Sequence, residues 1–510
     1  MNSTKNTKRI ARNTLIMYGR MLFVMVLSLY TVQFLLRVLG IEDYGIYDVV
    51  AGLVSMLAMI SGTMETATQR YFSFAIGENK KDDIKHIFSL SISIYLLISL
   101  LIVILGETIG LWFVNSHLQI PVNRIIAANW IYQFALFSII ISMLIVPYSS
   151  LIIAYENMGL FSIITMIDSV LKLAIVYSIS IFNADKLIIY GGLGLFIVII
   201  KLIIFIYFSR AKYVECRYTF YWDSKLFKSM LSYSGWTLFG VTAGVANNQG
   251  NNILINIFFG PAANAARGIA FQVSNVISSF CNNLFVVMRP PMIKSYAEKN
   301  NTYMMYLFYL SSRLSFFLML LIFLPLFIET ELILKLWLGQ INENMIIFTR
   351  LTLIYTLILA QHNPITTIMQ ATGRVKIYFS IVESTTLLSL PLTYLFFKLG
   401  YPVVSTFYVS IIVFFLAHFL RLYILQMVIK FSMKEYFKKF VFPIILVSIL
   451  SVIMPLFIYF HMQYGIVRLL VIILSSSFSI LILIYFIGID KSERNKLVEI
   501  ALKTLKNKRS

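Results

Sequence analysis

Apolar residues along this chain fall in runs of about 20, the length a helix needs to cross the hydrocarbon core of a bilayer, and short polar stretches separate the runs. Fourteen runs are present, near residues 14–36, 45–67, 84–105, 127–149, 159–182, 188–210, 231–257, 264–288, 303–328, 346–369, 375–397, 402–427, 440–460 and 466–488. The pattern predicts an all-α polytopic membrane protein of about 14 transmembrane helices.

The distribution of positive charge sets the frame. With the N-terminus placed in the cytoplasm, 30 of the 42 Lys and Arg residues fall in or at the margins of cytoplasmic segments. The external loops hold Arg37, Arg124, Lys186, Lys335 and Lys398. Shifting the frame by one span would invert the bias, so the positive-inside rule supports both the count and an orientation with both termini cytoplasmic. The expected location is a cytoplasmic (inner) membrane crossed many times.

Composition changes the picture in two ways. The chain is 59% hydrophobic and 13% charged, against about a quarter charged in soluble domains. A net charge of +20 in a soluble chain would suggest nucleic acid, but here the basic residues flank membrane spans, where anionic headgroups attract them. Membrane lipids are the expected partners and nucleic acid is not. The longest connection, near 209–230, is too short to fold as a soluble catalytic domain. No G-x-x-x-x-G-K-[ST] loop is present to cradle phosphates. The five histidines lack metal-ligand spacing, and Cys216 and Cys281 fall in a loop and a span that the topology separates. No cofactor and no metal are expected.

Two stretches align without gaps at an offset of 220 residues: Gly40 pairs with Gly260, and Glu78 with Glu298. Six spans separate the copies, an even number, so the halves would be parallel repeats related by an axis along the membrane normal. The expected organisation is an N-lobe of six spans (1–210), a C-lobe of six (211–430), two added spans (431–488) and a basic cytoplasmic tail (489–510).

Charged side chains deep in a bilayer cost about 2.5–3.5 kcal/mol on insertion scales, so those present need a partner, water or a ligand. Arg20, Lys201, Arg267, Arg313, Asp168, Lys172 and Glu383 lie well inside the spans. Asp168 and Lys172 are four residues apart and can meet on one helix face. Glu383 has no obvious local partner, and pairing with a cation such as Arg313 is the expected outcome. Span 7 carries Asn247, Asn248, Asn251 and Asn252, and span 8 continues with Arg267, Gln272, Asn275, Asn282 and Asn283. A stripe this dense reads as a cavity wall rather than as helix glue. Carboxamides hydrogen-bond to sugar hydroxyls and an arginine faces an anion. Arg20 and Gln33 on span 1 would supply the matching wall from the other half. Several cations, many amides and few free acids favour a cargo that is anionic and rich in hydroxyls, such as a lipid-linked oligosaccharide.

Short strings spread along the chain carry a family resemblance. They are L-G-I-E-D-Y-G-I-Y (39–47), P-Y-S-S-L-I-I-A-Y-E-N-M (147–158), G-W-T-L-F-G (235–240), F-G-P-A-A-N-A-A-R-G (259–268), P-P-M-I-K-S-Y-A (290–297), L-W-L-G (336–339) and Q-A-T-G-R-V-K (370–376). In this order they resemble polysaccharide exporters of the Wzx type, in the multidrug/oligosaccharidyl-lipid/polysaccharide (MOP) superfamily. The resemblance implies two six-helix lobes around a central cavity lined by spans 1, 2, 7 and 8. It implies alternating-access transfer of undecaprenyl-pyrophosphate-linked oligosaccharide units for O-antigen, capsule or similar surface polymers in a bacterium. A polysaccharide polymerase is a conceivable partner. By position Arg20, Arg267 and Arg313 are candidates for the pyrophosphate. Gln33, Asn247, Asn248, Asn251, Asn252, Gln272, Asn275 and Asn282 are candidates for the sugars, and Asp48, Asp168 and Glu383 for ion coupling.

Two other readings stay open on the residues alone. A drug or metabolite antiporter of the same fold would rely on a buried carboxylate. A polytopic glycosyltransferase with a lipid-phosphate donor would use an acidic pair in its first external loop, where this chain has Glu42 and Asp43.

Overall fold

The structure is a computed structural model and describes residues 2–55, 58–116, 118, 120–179, 184–429, 431–490 and 494. Among them every regular element is a helix. The order is α1 (Asn2–Ser55), α2 (Ala58–Gly77), α3 (Lys81–Leu105), α4 (Leu111–Ser116), α5 (Ile125–Ala154), α6 (Met158–Ile179), α7 (Lys186–Lys212), α8 (Ser224–Ala297) and α9 (Asn301–Ile328). There follow α10 (Thr330–Leu338), α11 (Glu343–Ala360), α12 (His362–Thr372), α13 (Val375–Leu387), α14 (Ser389–Lys398), α15 (Ser405–Val428), α16 (Met433–Tyr436), α17 (Phe442–His461) and α18 (Ile466–Leu483). An all-helical chain is what the bilayer demands, because a helix satisfies its own backbone groups where no water can.

Twelve segments of the described residues are long and apolar enough to cross a membrane. The predicted spans 45–67 and 231–257 are not among the twelve, so length and hydropathy do not reproduce the count of fourteen. Residues 56–57, which lie outside the described residues, interrupt the first. The second is helical throughout, but its asparagine-rich stretch lowers its hydropathy.

Both α1 and α8 are pairs of helices joined at a single residue. Gly40 has φ 80°, ψ 171°, and Gly260 has φ 77°, ψ −177°. A Cβ would meet nothing within 4 Å at either site, so the dihedral angles rather than crowding call for glycine. The repeat continues in the turns. After α2, Asn79 takes φ 57°, with its N–H on Ile76 O (3.1 Å) and the Lys80 N–H on Ala75 O (3.1 Å). After α8, Lys299 takes φ 58°, with its N–H on Tyr296 O (3.0 Å) and the Asn300 N–H on Ser295 O (2.9 Å). These are two copies of one Schellman helix stop. A further pair sits at the ends of α5 and α12. Pro147 precedes Glu156 (φ 61°) by the same nine residues that separate Pro364 from Gly373 (φ 75°).

The helices gather into two compact units. One comprises Ile10–Val241 with Arg289–Asn300, here the N-unit; the other comprises Met1–Arg9, Thr242–Met288 and Asn301–Ser510, the C-unit. In the N-unit, Ile46, Val50, Leu90, Ile94, Tyr132 and Leu136 share one apolar core. Glu156 pins it: its backbone carbonyl accepts from Asn13 Nδ2 (2.9 Å) and its carboxylate pairs with Lys294 (2.8 Å). In the C-unit, Phe348, Phe397 and Phe407 pack on Ala263, Ala266 and Ala270 of α8. Arg468 of α18 pairs with Glu329 at the end of α9 through Nε (2.6 Å) and Nη2 (3.0 Å). That pair ties the last two long helices to the rest of the unit.

Candidate functional site

The asparagine stripe of α8 divides into two edges. Asn247 and Asn251 are buried at 5% and 3% exposure. Asn247 Nδ2 donates to Thr386 O (2.8 Å) and to Ser389 Oγ. Asn251 donates to Asn247 Oδ1 (2.9 Å) and accepts from Thr406 Oγ1 (3.2 Å). These two amides hold α8 against α13, α14 and α15.

Asn248 and Asn252, one residue further round the helix, hold a cation instead. Arg267 Nη2 donates to both Asn248 O (3.0 Å) and Asn248 Oδ1, and Nη1 donates to Asn252 Oδ1 (3.3 Å). The guanidinium lies 4.1 Å above the Phe271 ring. It reaches back across the Gly260 kink, because the residue lies 15 positions beyond Asn252. A pocket of about 40 Å³, room for a water, opens beside it and is lined by Asn247, Asn251, Tyr355, Thr406 and Ser410. No carboxylate among the described residues touches this arginine. A buried guanidinium held by neutral dipoles keeps its full charge for an incoming anion.

The other predicted site residues are dispersed. Gln272, Asn275 and Asn282 are exposed on α8, and Asn282 Oδ1 accepts from Asn363 Nδ2 at 3.5 Å. Arg313 is not gathered with Arg267. It points to the end of the chain, with Nη1 3.4 Å from Gly488 O and 3.7 Å from Asp490. Glu383 does not pair with Arg313 either; its partner is Arg421, at 3.0 Å. Arg421 also contacts Tyr378 Oη (3.1 Å) and His362 Nε2 (3.2 Å). Sequence reasoning gave no role to Arg421, which is buried at 3% exposure.

In the N-unit, Arg20 lies 5.4 Å over the Phe161 ring and Gln33 is exposed on α1. The side chains of Glu42 and Asp48 lie outside the described residues. Asp168 meets Lys172 at 3.0 Å, as the i,i+4 spacing predicts, and also Lys201 of α7 at 3.7 Å. Glu65 accepts from Ser149 Oγ at 3.2 Å.

Sequence reasoning gave no role to a basic cluster in the same unit. Arg70 lies over Tyr71 (4.8 Å) and Tyr233 (5.5 Å), and the Nε of Arg289 is buried without a hydrogen-bond partner among the described residues. Arg70 and Arg289 occupy adjacent positions of the 220-residue repeat, which is the signal that could have found them.

Asp43 is spent on structure. Arg124 Nε donates to its Oδ1 at 2.7 Å, and the far side of the same guanidinium binds Asp185, the N-cap of α7. That geometry ties the stretch of α1 just past the Gly40 kink to the N-termini of α5 and α7.

A family model described as "Polysaccharide biosynthesis protein" matches residues 10–296. No curated protein matches the chain. Solved structures of the same architecture include one described as "Crystal structure of MATE in the bent conformation", with TM-score 0.72 and 12% identity, covering 84% of this chain and 97% of that one. Another is "MATE transporter ClbM in complex with Rb+", with TM-score 0.69 and 16% identity over 82% and 94% of the two chains. A third is a MOP superfamily transporter from Pyrococcus furiosus, described as having reverse polarity in its binding pocket, with TM-score 0.68 and 12% identity over 84% and 98%. At these identities the likeness establishes the fold alone.

Proposed function

The chain belongs to the polysaccharide biosynthesis protein family, and we propose that it is the flippase of that pathway class, moving undecaprenyl-pyrophosphate-linked oligosaccharide units across a bacterial cytoplasmic membrane. The single observation that supports this reading is Arg267. It is a cation inside the membrane-spanning region, clasped by two carboxamides with no carboxylate against it among the described residues. Charge buried in that way costs the fold stability unless an anion repays it. A pyrophosphate supplies the anion, and the exposed amides Gln272, Asn275 and Asn282 on the same helix offer donors and acceptors for sugar hydroxyls.

The chemistry required is modest, since no covalent bond changes. The protein exchanges two states, each binding the head group weakly enough to release it, while the polyprenyl tail stays in lipid. Both termini face the cytoplasm in this reading, and a polymerase is the natural recipient of the product.

The rival reading, an ion-coupled drug antiporter, needs a carboxylate able to exchange a cation. Asp168 and Glu383 are held by Lys172, Lys201 and Arg421, which argues against it. The test is reconstitution in vesicles with a fluorescent lipid-pyrophosphate glycan. Wild type should expose the glycan on the far leaflet and Arg267→Ala should not. Equal rates for the two would end the proposal.

A further inference from the structure

A second pocket, open on one side, lies in the N-unit, in residues to which no role has been given. It is a cavity of about 370 Å³ between the second part of α1 and helices α5, α6 and α7. That volume lies within the range of small-molecule pockets, which are typically apolar with a few placed polar groups. This one fits the description. Tyr47, Phe134, Ile175, Tyr190 and Leu195 form the wall, with Tyr47 and Tyr190 in edge-to-face contact at 4.9 Å. Its one charged group is Lys172, whose side chain is 55% exposed although it sits within a membrane-spanning helix.

The charges behind Lys172 alternate. Lys172 pairs with Asp168 at 3.0 Å, and Asp168 with Lys201 at 3.7 Å. Asp168 is thus shared by two lysines, so two cations face one acid. One positive charge is in surplus, and the member open to a cavity is Lys172. In a medium of low dielectric a surplus cation attracts an anion strongly. The cavity offers few groups for sugars: the Ser138 hydroxyl already donates to Phe134 O at 2.7 Å, and no carboxamide lines the wall. A ligand reaching this space through the bilayer must therefore be apolar along most of its length and anionic at one end.

We propose that this cavity holds a phosphate-bearing lipid, with the phosphate on the Lys172 ammonium and the first part of the chain along the Phe134 and Tyr47–Tyr190 wall. Lipids carry phosphate as their common anion, and the volume admits a chain segment rather than a whole glycan head. Gly194 borders the space, and a Cβ there would meet nothing within 4 Å, so the helix leaves room for the occupant. The proposal does not depend on the flippase reading, since the Arg267 wall belongs to the other unit.

The test is native mass spectrometry of the full chain released from mixed vesicles containing equal amounts of phosphatidylglycerol, a polyprenyl phosphate and diacylglycerol. Wild type and Lys172→Arg should retain a phosphorylated lipid, and Lys172→Gln should lower its retention about tenfold, the loss of a charge-assisted contact. Gly194→Leu fills the cavity without backbone strain and should abolish retention. It decides the matter if Lys172→Gln fails to fold. Which phosphorylated lipid is retained identifies the source. Diacylglycerol retained as well as the phosphorylated lipids would overturn the proposal, as would Gly194→Leu retaining as much as wild type. Loss of glycan transfer with this retention intact would count against the flippase reading only.

Discussion

Gly40 and Gly260 adopt the same backbone conformation 220 residues apart, φ near 80° with ψ near 180°, and each joins two helices that would otherwise run on as one. An L-residue in that conformation carries about 1–3 kcal/mol of strain. Gly40→Ala and Gly260→Ala should therefore each lower the thermal midpoint of the purified protein. Gly19→Ala is the control, since Gly19 is helical with open space at its Cβ and the change should be neutral or stabilising by about 0.5–1 kcal/mol. Thermal unfolding in detergent separates the two classes. Equal midpoints for Gly40→Ala and Gly19→Ala would show that the kink is not needed.

The two edges of the asparagine stripe should respond differently to mutation. Asn247→Ala removes contacts to Thr386 and Ser389 and should cost stability of about 0.6–2 kcal/mol, with residual transport roughly tracking the amount of folded protein. Asn248→Ala loosens the clasp on Arg267 and should lower transport at nearly unchanged stability. Paired measurements of vesicle transfer and thermal midpoint would reveal the split. Identical profiles for the two variants would refute it.

The Glu329–Arg468 pair should behave as a buried ion pair does when one partner is taken away. Glu329→Gln leaves the Arg468 guanidinium uncompensated and should cost about 3–5 kcal/mol. Combining it with Arg468→Met should recover much of the loss. Chemical unfolding of the three variants measures the coupling, and a double variant no better than the single would contradict it.

Asp185 gives a dependence on acid. Burial pushes its carboxyl up, but the Arg124 guanidinium and the backbone N–H groups of Ile188 and Leu187 outweigh that and hold it below the usual carboxylate range. A lowered folded pKa means the stabilisation is fully present above the unfolded value of about 3.9 and is lost as pH falls through the folded value. Acid unfolding monitored below pH 4 should therefore be less steep for Asp185→Asn than for wild type. A matching slope would exclude the contribution.

Membrane class, helical architecture and the repeat were legible in the chain itself. Span-length apolar runs admit only helices in lipid, and the 220-residue offset led to a pair of glycines that do share one conformation. The i,i+4 contact of Asp168 with Lys172 was legible for the same reason, because neighbours on one helix are fixed by its pitch. Partners on different helices were not. Glu383 meets Arg421 rather than Arg313, and Arg313 turns to Gly488, because those pairings depend on which faces pack. The stripe of asparagines looked uniform in sequence, yet one edge holds neighbouring helices and the other holds a cation. Periodicity tells which residues share a face; only the packed structure says what stands opposite that face, and in a bilayer this decides whether a polar group is glue, clasp or site.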